Sequence, residues 1–203
     1  MDTNIIANKR QVFVSHMTQK RILGELRLLK EEPLELIDAY LDENNTLQWY
    51  FVIRGMDETD YYGGFFIGVI LIPPEYPQKA PDFMMLTPNG RFATNKKICL
   101  TNSGYHSESW SPIWNIRLQL LGFISIMADD STNGISHIKE SPESRKQKAK
   151  QSVDYNMQYL KDKWVKFERF VKPDGTIRSE EEIKLLSVPI KKKKKKKKKK
   201  ATK

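Results

Sequence analysis

The chain has 203 residues and a formal charge of +10, a length that holds one domain with a full core plus tails. The charge sits at one end: residues 191–200 are ten lysines and Lys203 is an eleventh, so the other 24 basic residues face 25 acidic ones and the body is near neutral, about −1. This distribution argues against a nucleic-acid-binding body, the single cysteine excludes an intramolecular disulfide, and the longest apolar runs, 65–72 and 118–128, fall far short of the roughly 20 residues that span a bilayer.

Residues 1–14 read as a flexible lead-in. Their start, Met1-Asp2-Thr3-Asn4, lacks a signal peptide's basic and apolar segments, and the absence of cystine pairs points to a reducing compartment, most simply the cytosol. From Ser15 the apolar residues Ile22, Leu23, Leu26 and Leu29 fall at helical spacing among Lys20, Arg21, Glu25, Arg27 and Lys30. Pro33 stops this helix near Glu32. Residues 34–42 alternate loosely, Asn44-Asn45 marks a turn, and 47–54 carry Trp49, Phe51 and Ile53 on alternate positions, the pattern of a half-buried strand. Residues 65–72 are apolar on both faces and are predicted to be a central strand. A proline-rich loop, Pro73-Pro74-Glu75-Tyr76-Pro77 to Ala80-Pro81, is held rigid by its fixed φ angles, and 83–86 form a short fourth strand. Strands joined by short turns with no helix between them imply an antiparallel meander with helices before and after it, an α+β fold.

Residues 114–127 read as a buried helix, closed by the polar stretch 129–134. Ser141-Pro142-Glu143 opens another with a serine cap, proline at the first helical position and an acid in the first turn. That helix is predicted to run to about Val171, stopped by Pro173-Asp174-Gly175. Ser179 with Glu180, Glu181 and Glu182 starts a short last helix. The organisation expected is thus a lead-in at 1–14, a domain at 15–171, a short helix and linker at 172–190, and a disordered, self-repelling lysine tail at 191–203.

Cys99 is either a small buried hydrophobe or a nucleophile. Its setting favours the second: Lys97-Ile98-Cys99-Leu100 is a short apolar step between a turn at Thr87-Pro88-Asn89-Gly90-Arg91-Phe92 and a loop at Thr101-Asn102-Ser103-Gly104, where a thiol can be reached. Trp110-Ser111-Pro112-Ile113-Trp114 follows.

This ordered set resembles the ubiquitin-conjugating enzymes: the basic first helix ending at Glu32-Pro33, the four-strand meander, Tyr61-Tyr62-Gly63-Gly64-Phe65-Phe66, the proline loop, Ile98-Cys99-Leu100 and Trp110-Ser111-Pro112. It covers roughly 15–171. Typical members carry His-Pro-Asn with its asparagine eight residues before the cysteine; here Arg91 holds that place and Asn89 lies ten before. With Tyr105-His106-Ser107-Glu108-Ser109-Trp110 after the cysteine, the chain is similar to the J-type subfamily, whose members act at the endoplasmic reticulum in protein quality control and usually end in a membrane anchor. The resemblance implies the ubiquitin-conjugating fold and two acyl transfers without cofactor or metal. Cys99 takes ubiquitin from the activating enzyme as a thioester and passes it to lysine, or to serine or threonine, of a substrate with a ligase of the RING type. The rival reading is a catalytically inactive scaffold or ubiquitin-binding partner.

The resemblance also implies candidates for stabilising the oxyanion or organising the loop: Asn89, Asn102 and His106. Asn89 before Gly90 equally suits a tight turn, and a loop histidine equally suits a solvated side chain. Asp129 and Asp130 lie near where members hold an acid that tunes the incoming lysine, and helix-end residues in a polar loop explain them as well. His16 and His137 receive no role. The ligase-docking positions implied are Lys20 and Arg21, Pro77 and Gln78, and Ser111, Pro112 and Ile113; for the two basic residues a solvated helix face is the alternative. The lysine tail is a passive tract, an electrostatic handle for anionic membrane, or a set of automodification sites.

Overall fold

The computed structural model describes residues 14–99 and 110–188; most of the lead-in, Asn102, His106 and the lysine tail lie outside them. The first helix, α1 (His16–Glu31), begins where Ser15 accepts a hydrogen bond from the backbone of Thr18, which satisfies one of the donors left open at a helix start. The strands follow as β1 (Ile37–Leu41), β2 (Gln48–Arg54), β3 (Phe65–Leu71), β4 (Asp82–Met85) and β5 (Lys97–Ile98), and then the helices α2 (Ile116–Ala128), α3 (Pro142–Tyr159), α4 (Lys161–Trp164) and α5 (Glu180–Leu186). The strands make one antiparallel sheet in chain order, β1-β2-β3-β4-β5.

The meander expected from the sequence is therefore present, and it carries a fifth strand of two residues at its edge. Lys97-Ile98, read from the sequence as an apolar step, pairs with Met84 and Phe83. Two residues are too few to show alternation, so the pairing is set by the neighbouring strand.

Alternation in β2 decides the layers, since successive side chains point to opposite faces. Trp49, Phe51 and Ile53 join Phe66 and Ile70 of β3 and Phe83 in a core closed by Ile22 of α1 and by Ile116, Leu120, Phe123 and Met127 of α2. Tyr50 and Val52 join Phe65, Ile67 and Val69 on the other face, covered by Trp164, Phe167, Phe170, Val171 and Ile183. Burial on both faces is why β3 reads as uninterrupted apolar sequence. A one-residue slip of β2 against β3 would exchange the two aromatic sets between cores.

The helix predicted from Pro142 to about Val171 is shorter. It stops at Tyr159, where Leu160 takes φ −130° and ψ 24°. The chain then turns through α4 so that Trp164, Phe167, Phe170 and Val171 reach the second face. A straight helix would carry these four away from the sheet, and their burial outweighs helical continuity. Trp164 Nε1 donates to Gly175 O at 2.8 Å, which fastens the loop before α5.

Candidate functional site

Cys99 leaves the edge strand β5 directly after fully buried Ile98, and it is half-buried itself. Both backbone polar groups of Cys99 are held by one segment across from it. Its N–H donates to Ile135 O at 3.1 Å, and its carbonyl lies 3.0 Å from His137 Nε2. Gly134 backs onto the cysteine so closely that a Cβ there would stand 3.4 Å from Cys99 Cβ and 3.2 Å from His137 Nε2.

The turn before the cysteine is built by Asn89, which is fully buried. Its Oδ1 accepts from the backbones of Arg91 at 2.9 Å and Phe92 at 2.8 Å, and its Nδ2 donates to Thr87 O at 3.1 Å. Gly90 follows with φ +77°, a left-handed conformation that side chains disfavour. Both ends of the Asn89 amide are engaged in shaping this turn. Thr87 extends the network inward: its hydroxyl accepts from Ile67 N and donates to Asn156 Oδ1, and Asn156 Nδ2 donates to Phe65 O.

The turn aims Arg91 into the molecule, where it is almost wholly buried. Its guanidinium donates to Asp129 O at 2.9 Å and Thr132 O at 2.6 Å, and Nη1 lies 3.2 Å from His137 Nδ1. The His137 ring packs edge-on against Phe92 at 5.1 Å. Phe92 in turn contacts Phe123 of α2, which also meets Phe51 and Phe83. The wall beside Cys99 is thus anchored to the main core.

Asp129 and Asp130 both serve the loop between α2 and Gly134. The Asp129 carboxylate accepts from Ser131 N, Ser131 Oγ and Thr132 Oγ1, and the Ser131 hydrogen bonds hold its pKa below the usual carboxylate range. Asp130 pairs with buried Arg145 of α3 at 2.8 Å, and that partner pulls its pKa down. Among the described residues no group of three or more His, Cys, Asp and Glu side chains is placed to hold a metal ion.

Four of the seven positions implied for ligase docking, Lys20, Arg21, Pro77 and Ile113, share one groove. This shallow groove of about 500 Å³ is lined by Met17, Lys20, Arg21, Pro77 and Ile113 among others. Lys20, Gln78, Pro112 and Ile113 are exposed, Ser111 and Arg21 half-buried, and Pro77 buried. Arg21 is not a free surface cation: Nε meets Glu25 Oε1 at 2.6 Å and Nη2 donates to Trp114 O at 2.8 Å.

Glu25, given no role by the sequence, joins these parts. Its buried carboxylate accepts from Arg21, from the Tyr76 hydroxyl at 2.7 Å and from Ile116 N, the first amide of α2, at 3.0 Å. Burial, first of all, then the adjacent carboxylate, keep the Tyr76 phenol protonated far above its usual range. Trp110 Nε1 donates to Pro77 O at 2.8 Å. In the sequence Glu25 is one more charged residue on a basic helix, and His137 a lone histidine beyond a polar turn. Their positions inside helical and loop segments carried no local signal; only Arg91 was marked, by its place eight residues before Cys99.

A family model described as ubiquitin-conjugating enzyme matches residues 21–165. The probable ubiquitin-conjugating enzyme E2 33 of Arabidopsis thaliana is 42% identical over 137 residues, 68% of this chain and 56% of that protein. Ubiquitin-conjugating enzyme E2 J1 of Homo sapiens is 42% identical over 136 residues, 67% of this chain and 42% of that protein. The chain spans about half the length of these curated relatives. The solved structure of human ubiquitin-conjugating enzyme E2 G1 aligns over 53% of this chain and 92% of that one, with a TM-score of 0.48 and 27% identity.

Proposed function

The chain belongs to the ubiquitin-conjugating enzyme family, and from that premise we propose that Cys99 is the residue that carries ubiquitin. Its thiolate attacks the carbonyl of the thioester on the activating enzyme and displaces that enzyme's thiolate, so one thioester replaces another. An acceptor amine, or a serine or threonine hydroxyl, then attacks the new thioester, and the tetrahedral intermediate collapses with Cys99 as leaving group. A thiol suits both steps because its anion is a strong nucleophile and a good leaving group.

The observation that carries this reading is the setting of Cys99: half-buried at the sheet edge, with its backbone held on both sides. The Asn89 amide organises its turn, and the donor to the oxyanion is His106, Asn102 or the second Nδ2 N–H of Asn89. One such donor contributes on the order of 10²–10³ in rate. A RING-type ligase docks on the groove by Lys20, Pro77 and Ile113, where an exposed apolar side chain beside positive charge suits a transient partner. The setting we assign is degradative quality control at the cytosolic face of the endoplasmic reticulum. Among the described residues no helix is long and apolar enough to cross a membrane.

The test is incubation with activating enzyme, ATP and ubiquitin. A ubiquitin adduct that vanishes under reducing agent and is absent in Cys99→Ala supports the reading. The absence of any adduct, with ubiquitin or a related modifier, overturns it and leaves a scaffold. Discharge of the adduct onto free lysine, serine and threonine separates amine from hydroxyl acceptors.

A further inference from the structure

The reading of Cys99 as the acyl carrier leaves one buried arrangement beside it without a role, and on that reading we propose that Arg91 and His137 are a positioning pair that fixes the backbone of the nucleophile. The geometry is a relay. The Arg91 guanidinium is held by the carbonyls of Asp129 and Thr132 and reaches His137 Nδ1 at 3.2 Å, and His137 Nε2 stands 3.0 Å from the Cys99 carbonyl. A guanidinium has no acceptor, so it can only donate to Nδ1. Nδ1 is then the unprotonated nitrogen and Nε2–H points at Cys99 O. The contact on one ring nitrogen thereby sets the tautomer at the other. Thr132 O lies 3.2 Å from Nδ1 as well, but it already accepts from Arg91 at 2.6 Å, so the Nδ1–H alternative would set an N–H against the guanidinium.

The same segment holds the other side of the peptide through Cys99 N–H to Ile135 O at 3.1 Å. Ala93 N to Ser136 O and Ile138 N to Arg91 O tie that segment to the turn. Cys99 directly follows a strand of only two residues. Removing the His137 contact takes away one hold on the carbonyl side of the nucleophile, and displacement of a reacting atom by about 1 Å can cost on the order of a hundredfold in rate. His137 touches the backbone of the reacting residue, so its role here is to position.

The experiment uses the full chain and two variants. His137→Phe keeps a ring against Phe92 and loses both nitrogens; His137→Gln restores a side-chain N–H near the Nε2 position. Thioester formation and single-turnover discharge are expected to fall about tenfold in His137→Phe, a barrier increase of ~1.4 kcal/mol, and to recover to within about threefold of wild type in His137→Gln. Alkylation of Cys99 by iodoacetamide, which needs no ubiquitin, is expected to rise in His137→Phe as the segment loosens, the opposite direction to transfer. In the 15N-labelled chain, two-bond imidazole correlations are expected to show His137 as the Nε2–H tautomer, and Arg91→Lys is expected to mix it with Nδ1–H. Wild-type rates in His137→Phe, or an Nδ1–H tautomer in the wild type, overturn the pair. If the wild type never forms a thioester the acyl-carrier reading fails, and tautomer and alkylation still decide the positioning pair.

Discussion

Replacing Glu25 with alanine is expected to be among the most destabilising single changes where α1 meets the start of α2. The carboxylate accepts from three donors on three elements: Arg21 Nε at 2.6 Å, Tyr76 Oη at 2.7 Å and Ile116 N at 3.0 Å. Hydrogen bonds to a charged group contribute roughly 1.5–3 kcal/mol each, and a buried donor left without an acceptor carries its own desolvation penalty. The Arg21 side chain is 30% exposed, so water replaces part of its loss; Tyr76 and Ile116 are fully buried and have no such recourse. Removing one partner of a buried charge network costs about 3–5 kcal/mol, which for a domain of this size is a fall of roughly 6–20 °C in unfolding midpoint. Thermal unfolding followed by circular dichroism, with a urea titration for the free energy, reads this directly. A double-mutant cycle with Tyr76→Phe separates the hub from simple truncation. The two losses are expected to overlap by more than about 0.5 kcal/mol, because residues that share one network couple. A midpoint change under 2 °C in Glu25→Ala, or strictly additive losses, refutes the reasoning.

Gly68→Ala is expected to cost about 1–3 kcal/mol or more, because the new Cβ would stand 2.3 Å from Phe51 Cζ and 2.8 Å from Met84 O; near-wild-type stability in urea would show that the Phe51 ring has room to move. Asp130 bears on pH. Its pKa is held down by the Arg145 hydrogen bond, so its stabilisation is present above the ordinary carboxylate pKa of about 4 and is lost as pH falls through the lower folded value. Its side chain is 40% exposed, which limits the effect to under about 1 kcal/mol. The stability gap between wild type and Asp130→Asn, followed by urea unfolding from pH 7 down to pH 2.5, is expected to close in acid, and a constant gap counts against the pair. Ser179→Ala removes one half of the capping box formed with Glu182 and is expected to cost about 1 kcal/mol. The amides of α5 then exchange with deuterium roughly fivefold faster while those of β2 are unchanged; equal change in both would mean that α5 unfolds only with the whole domain.

What could be read from the chain was whatever repeats or terminates locally. Ser141 and Ser179 announced two helix starts because such a start is set by the few residues around it. Trp49, Phe51 and Ile53 announced a strand because alternation is a property of the strand itself, but the strand is not half-buried as that pattern implied: Tyr50 and Val52 are buried on the other face under Trp164 and Phe167. The reactive candidate was legible as a lone thiol between two polar turns. Three things were decided only when distant segments met. The helix after Pro142 stops at Tyr159 because the second face of the sheet had to be covered by Trp164 and Phe167, a demand that no helical pattern in 142–171 records. Glu25 became a hub through partners 51 and 91 residues away, and His137 came to the Cys99 carbonyl with Arg91, 46 residues before it, at its back. Side-chain periodicity reports which surface a residue faces; which polar group awaits it there is a fact of the assembled fold, since burial makes an unpaired donor costly only once the surrounding chain has closed over it.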